Sequence, residues 1–343
     1  MDGGGSASVV NFVLTEYIIM NPATIVNPRL DRAIRIMNVL AVAGMAITIG
    51  AIFLFAPVEV TMGNVQRLFY FHVGSAWVGA MVFGVALVCG VLYLWRGRRV
   101  FDTISLAAVE VGLVFLSMAI VGGSFWGKPA WNTWWLWRPR LTLVTVAWLV
   151  YAAYFMLRGA IEDDHRRARY AAIYAIVSFV TIILTYVSIR IFRDIHPVVF
   201  GSTTEAAAGA AEGLQEFNGL DSARMGITLL ISVIGFTLLG TAWILVRIRL
   251  QNLIDYADGL KTRVAARLSA RPRPAPAVVS GLALVLFQTG EPNQFNAYLI
   301  GGYVVMSSFC LLYMLYVTLR QRNLQNDIAL LSQLLQESER PRR

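Results

Sequence analysis

Long apolar stretches alternate with short polar ones along most of the chain. Runs near 34–56, 73–95, 103–122, 142–158, 170–190 and 225–246 are dominated by Leu, Val, Ile, Ala and Phe. A spanning helix needs roughly 20 mostly apolar residues. The fourth run is short when counted from Thr142 and borrows the apolar end of the segment before it. A seventh run lies near 297–319. The pattern predicts an all-α fold: a polytopic membrane helix bundle of six transmembrane helices plus a seventh, carboxyl-terminal one.

Composition strengthens that reading. Of 343 residues, 57% are hydrophobic and only 14% charged, against about 45–50% and about 25% in a soluble domain. The net charge of +9 then matters through its placement. Arginines cluster before the first run (Arg29, Arg32, Arg35) and in the second connection (Arg96, Arg98, Arg99). They cluster again in the fourth (Arg158, Arg166, Arg167, Arg169) and after the sixth run (Arg247, Arg249, Lys261, Arg263, Arg267, Arg271, Arg273). The positive-inside rule puts these segments and the amino terminus in the cytoplasm. Loops 57–72, 123–141 and 191–224 then face outward, and the charge calls for no nucleic-acid partner. Residues 1–20 lack the basic region, compact apolar core and small-residue site of a cleaved signal peptide.

Four segments follow: 1–33, a cytoplasmic amino-terminal segment; 34–250, the six-helix domain; 251–290, a basic and Pro-rich linker containing "SARPRPAP"; and 291–343, a single helix with an amphipathic tail. In that tail Leu324, Ile328, Leu331 and Leu335 recur at helical spacing.

The outward loops carry the unusual chemistry. Residues 126–142, "WGKPAWNTWWLWRPRLT", hold five of the chain's nine tryptophans: Trp126, Trp131, Trp134, Trp135 and Trp137. An interfacial belt scatters aromatics over many helix ends; it does not place five within twelve residues. Trp131, Trp134 and Trp135 are spaced i, i+3, i+4, which predicts a short helix with one aromatic face. Gly127 and Pro129 would set the turn into it, and Arg138 and Arg140 would stand at its carboxyl end. Of three histidines, His165 sits in the inner loop "EDDHRRAR" and reads as a solvated residue. His72 and His196 fall at the outer ends of the second and fifth helices. Singly, each reads as a cap or an interfacial polar group. The two cysteines, Cys89 and Cys310, form neither a CxxC nor a CxxCH motif, so the chain attaches no c-type haem of its own.

Two imidazoles, a tryptophan face and nearby cations together fit haem. Its iron takes axial histidine, its ring is flat and apolar, and its propionates are anionic. Indole covers the ring, and Lys128, Arg138, Arg140 and Arg67 are the cations within reach of the propionates.

The stretch 122–142, "GGSFWGKPAWNTWWLWRPRLT", resembles the tryptophan-rich signature of the cytochrome c maturation protein C family (CcmC), the haem-handling subunit of that system. The likeness extends to "MGNVQRLFYFHV" (62–73) and to the loop around His196, covering roughly 30–250. It implies that His72 and His196 are the axial ligands of a non-covalent haem b and that the Trp loop holds the porphyrin edge. It also implies handover to a periplasmic haem chaperone (CcmE-like), with ABC transporter subunits (CcmA/CcmB-like), at the bacterial cytoplasmic (inner) membrane. Family members usually carry Asp after the last Trp of this motif; here that position is Arg138. The segment "FNAYLIGGYVVMSSFCLLYMLYVTLRQRNLQNDIALLSQL" resembles the single-helix companion subunit of the same system (CcmD), which makes the chain a fusion and raises the partners' effective concentration.

That fusion raises a parity problem. The companion starts outside and ends inside, yet the sixth helix already ends inside. The one apolar stretch between, 277–287, is about 11 residues, too short to span roughly 30 Å. Either it is re-entrant or the seventh helix runs the other way. Glu110, inside the third helix, reads first as a helix–helix hydrogen bond. Arg190 and Arg193 are outer cations near His196. A membrane electron-transfer b-type cytochrome and a small-molecule transporter are the competing functions. The first buries His pairs within helices, which this chain lacks; the second wants polar or broken helices at mid-membrane. Binding and transfer of haem need no enzymatic step.

Overall fold

A computed structural model describes residues 27–59, 62–192, 220, 222–268 and 294–339. Among these residues there are seven α-helices: α1 (Pro28–Gly50), α2 (Arg67–Arg96), α3 (Arg99–Trp131), α4 (Pro139–Ala160), α5 (Asp164–Ile191), α6 (Ala223–Leu268) and α7 (Gln294–Glu339). A π-helical turn, Ala51–Phe55, continues α1. All seven are long and apolar enough to cross a membrane. The chain is a multi-pass helical membrane protein, as the apolar runs predict.

Local chemistry fixes the ends. Gly97 takes φ 66° and its N–H donates to Tyr93 O at 2.8 Å, a left-handed stop for α2. Pro139 starts α4, where its missing N–H costs nothing. The Asp163 carboxylate accepts the Arg166 N–H at 2.7 Å and caps α5.

The described residues belong to two compact units. The larger holds Ile36–Ile244 and Gly290–Met314. In it, α2 and α3 pack antiparallel, and α4 and α5 pack over them. Phe83 on α2 stacks on Tyr151 of α4 with centroids 3.6 Å apart. Leu106, Val109, Leu116, Tyr154, Ala175 and Ile182 complete that core. Two polar groups packed against it are satisfied locally: Trp148 Nε1 donates to Ser117 Oγ at 2.8 Å, and Tyr174 OH donates to Val150 O at 3.0 Å. The arginine-rich ends meet at one end of the bundle. Arg158 pairs with Asp102 through both nitrogens, at 2.6 and 3.0 Å, and Arg99 meets Asp164 at 2.7 Å. His72 and the tryptophan stretch lie at the opposite end.

Helices α6 and α7 both run from the tryptophan end toward the arginine end. Ser232 Oγ donates to Tyr70 O near the start of α2, while Trp243 lies against Phe115 at mid-α3. Tyr298 meets Trp134, while Tyr313 OH lies 3.5 Å from Glu110 Oε1. The seventh helix is therefore not reversed. Residues 277–287 lie outside the described residues. Glu110 thus meets a partner on another helix, a helix–helix contact of the kind its position predicts.

The smaller unit holds Met1–Arg35, Leu245–Thr289 and Leu315–Arg343. Here the expected linker 251–290 needs correction: α6 continues as helix to Leu268. Leu250, Leu253, Ala257, Leu260 and Val264 are buried at alternating spacings of three and four, the seam of a coiled coil. On α7, Leu324, Ile328 and Leu331 keep the same spacing and are half-buried. Gln321 Nε2 donates to Val246 O at 3.2 Å, and Arg249 pairs with Asp31 at 3.4 Å. The remainder of the linker, 269–290, lies outside the described residues.

Candidate functional site

Helix α3 runs well past the predicted run 103–122, to Trp131, so Gly127, Lys128 and Pro129 are helical rather than a turn. It stops at Asn132, whose φ of 51° is left-handed. Lys128 Nζ donates to Asn132 O and Asn132 Oδ1, both at 3.0 Å, and so holds that end. Residues 132–138 are then non-helical. The expected short helix carrying Trp131, Trp134 and Trp135 does not form. Arg138 and Arg140 consequently stand at the start of α4, not at the end of a tryptophan helix.

The irregular segment folds back over the bundle end and roofs a pocket between α2, α3, α4 and α5. About 960 Å³ of space free of protein atoms lies among the lining residues, the solvent at its open mouth included. His72 projects into it from the second turn of α2. Trp126, Trp131, Trp134 and Trp135 wall it, and Arg140, Thr185 and Tyr186 close the far side. Trp126 is buried and meets Trp131 edge-on at 5.1 Å. Thr133 Oγ1 donates to Trp135 O at 3.1 Å and fixes the loop. The Arg140 guanidinium lies 5.7 Å from the Tyr186 ring centroid.

His72 is held in one orientation. Its Nδ1 lies 2.8 Å from Ala119 O. A carbonyl only accepts, so Nδ1 carries the proton and the lone pair of the neutral ring is on Nε2. That is the usual arrangement of a metal-ligating histidine. Trp135 Nε1 is buried without a hydrogen-bond partner, a donor in the pocket wall suited to an anionic acceptor. The donor set thus fits a flat, apolar, anionic ligand with a metal centre.

Other predicted site residues stand elsewhere. Trp137 is 74% exposed and stacks edge-on against Trp135. Lys128 caps α3, and Arg138 is exposed, its N–H donating to Leu136 O at 2.8 Å. Arg67 lies over Phe53 at 5.2 Å, and none of these four lines the pocket. His165 is exposed. His196 and Arg193 lie outside the described residues, as does the Arg190 side chain. Sequence reasoning missed Thr185 and Tyr186, which sit inside an apolar run where packing is the default.

A family model described as Heme exporter protein C matches residues 18–261. The chain belongs to this family. A Heme exporter protein C of Escherichia coli K12 is 32% identical over 238 residues, 68% of this chain and 90% of the relative. One of Bradyrhizobium diazoefficiens is 28% identical over 215 residues, 62% and 77%. One of Rhodobacter capsulatus is 32% identical over 145 residues, 42% of this chain and 60% of the relative. The whole pocket falls within the Heme exporter protein C match, whereas α7 lies beyond it.

Proposed function

We propose that the chain holds haem b at the extracytoplasmic membrane face and delivers it to a periplasmic haem chaperone (CcmE-like) during cytochrome c biogenesis. The observation that carries this reading is His72: a ring fixed through Nδ1 on Ala119 O in a pocket walled by four tryptophans. His196, which lies outside the described residues, would supply the second ligand to the haem iron. The indoles cover the ring by burial and dispersion. Arg140 and Trp135 Nε1 supply donors for propionate oxygens. Arginine clusters at the opposite end support an inner-membrane orientation with the amino terminus in the cytoplasm.

Binding, shielding and release make up the activity, and no residue is assigned a catalytic role. ABC transporter subunits (CcmA/CcmB-like) are assigned as partners. The carboxyl-terminal helix stands in for the CcmD-like companion; its outer-to-inner direction supports that assignment.

The test is to purify the chain in detergent after expression with haem supply and assay bound haem as its pyridine haemochrome. Haem b near one equivalent is expected, moving to an apo-chaperone on mixing. Haem-free protein that takes up none on titration overturns the reading.

A further inference from the structure

Helix α7 touches the pocket's supports without lining the pocket. Its contacts follow α3 as a ladder. Tyr298 lies edge-on to Trp134, centroids 5.5 Å apart. Gly301 comes so close to Phe125 that a Cβ there would stand 2.9 Å from Cε1. A Cβ on Gly122 would be 2.8 Å from Met306 Sδ. Cys310 Sγ is 3.9 Å from Met118 Sδ, and Tyr313 follows at Glu110. Gly122 meets α7 on one side of α3, and the next residue, Gly123, meets the His72 ring on another. Trp134 is likewise shared: it walls the pocket, and Phe125 and Tyr298 bracket it at 5.4 and 5.5 Å.

We propose that α7 is a positioning element of the pocket, with Tyr298 setting the Trp134 ring and Met306 setting the Gly122–Gly123 step on which His72 rests. Trp134 is 47% exposed, and residues 132–138 have no helix to hold them. An edge-on aromatic neighbour is then a main restraint on its angle. Small residues at 122, 301 and 302 permit the close helix approach that packing in a membrane requires. The helix thus acts through Trp134 and α3 rather than on the ligand.

The proposal rests on the haem reading for one readout and not for the other. Tyr298→Ala and Tyr298→Phe are compared in the full chain, with Leu311→Ala as control, since Leu311 is 70% exposed on the same helix. Hydroxyl-radical footprinting read by mass spectrometry should show Trp134 oxidation rising in Tyr298→Ala and staying at the wild-type level in the other two. Haem dissociation should quicken about two- to tenfold in Tyr298→Ala only, with a shifted Soret band restored by Phe. Unchanged Trp134 oxidation in Tyr298→Ala overturns the proposal, whether or not haem binds. Equal changes in Leu311→Ala also overturn it. Wild-type protein that binds no haem defeats the haem reading alone, and the footprint then decides the role of α7.

Discussion

Gly123 of α3 leaves the space that the His72 ring of α2 fills: a Cβ on Gly123 would stand 2.7 Å from His72 Cε1 and 2.9 Å from Nδ1. The Nδ1 bond to Ala119 O, one turn earlier on α3, fixes the ring over that glycine. Helix α3 therefore both orients the imidazole and leaves it room.

Gly123→Ala is expected to push the ring off Ala119 O. Overpacking costs roughly 1–3 kcal/mol, partly offset by the better helix propensity of Ala, about 1 kcal/mol. The protein should stay folded by circular dichroism while its haem content falls toward that of His72→Ala.

Arg140 and Arg138 should behave differently although both follow the tryptophans. Arg140 lines the pocket and Arg138 faces outward. A hydrogen bond to a charged group contributes about 1.5–3 kcal/mol, or roughly 10- to 150-fold in affinity at 1.4 kcal/mol per decade. Haem titration of Arg140→Gln should show a loss of that order. Arg138→Ala should stay within about twofold.

Trp135→Phe keeps an aromatic wall and removes only the buried Nε1–H. Haem affinity should fall by about 2- to 12-fold, the equivalent of one hydrogen bond of roughly 0.5–1.5 kcal/mol. Trp137→Ala, at an exposed position, should leave haem affinity unchanged in the same titration.

At the other end of the bundle, Arg158 and Asp102 are only 12% and 15% exposed. Removing one partner strands a buried charge, worth about 3–5 kcal/mol. Arg158→Met should lower the Tm in detergent substantially, and the double variant Asp102→Leu/Arg158→Met should recover most of it.

The helices were legible because each spanning run is long and apolar in the sequence itself. The pocket was legible in part. Trp126, Trp131, Trp134, Trp135, Arg140 and His72 line one pocket. The spacing of Trp131, Trp134 and Trp135 pointed to a helix, but Asn132 takes a left-handed conformation and ends α3 first. Tyr186 was hidden because an aromatic in an apolar run reads as packing, and only the fold sets it beside Arg140. The continuation of α6 to Leu268 rests on the heptad of Leu250, Leu253, Ala257, Leu260 and Val264, a pattern interleaved with the basic residues that give the segment its linker-like composition. The placement of α7 along α3 depends on side-chain fit at Gly122 and Gly301, which no periodicity encodes.

The most direct test of the account is ligand rescue at His72. Haem spectra of wild type, His72→Gly and His72→Gly with added imidazole should show low-spin bands, their loss, and their return. Low-spin bands that persist unchanged in His72→Gly without imidazole would contradict ligation of the haem iron by this histidine.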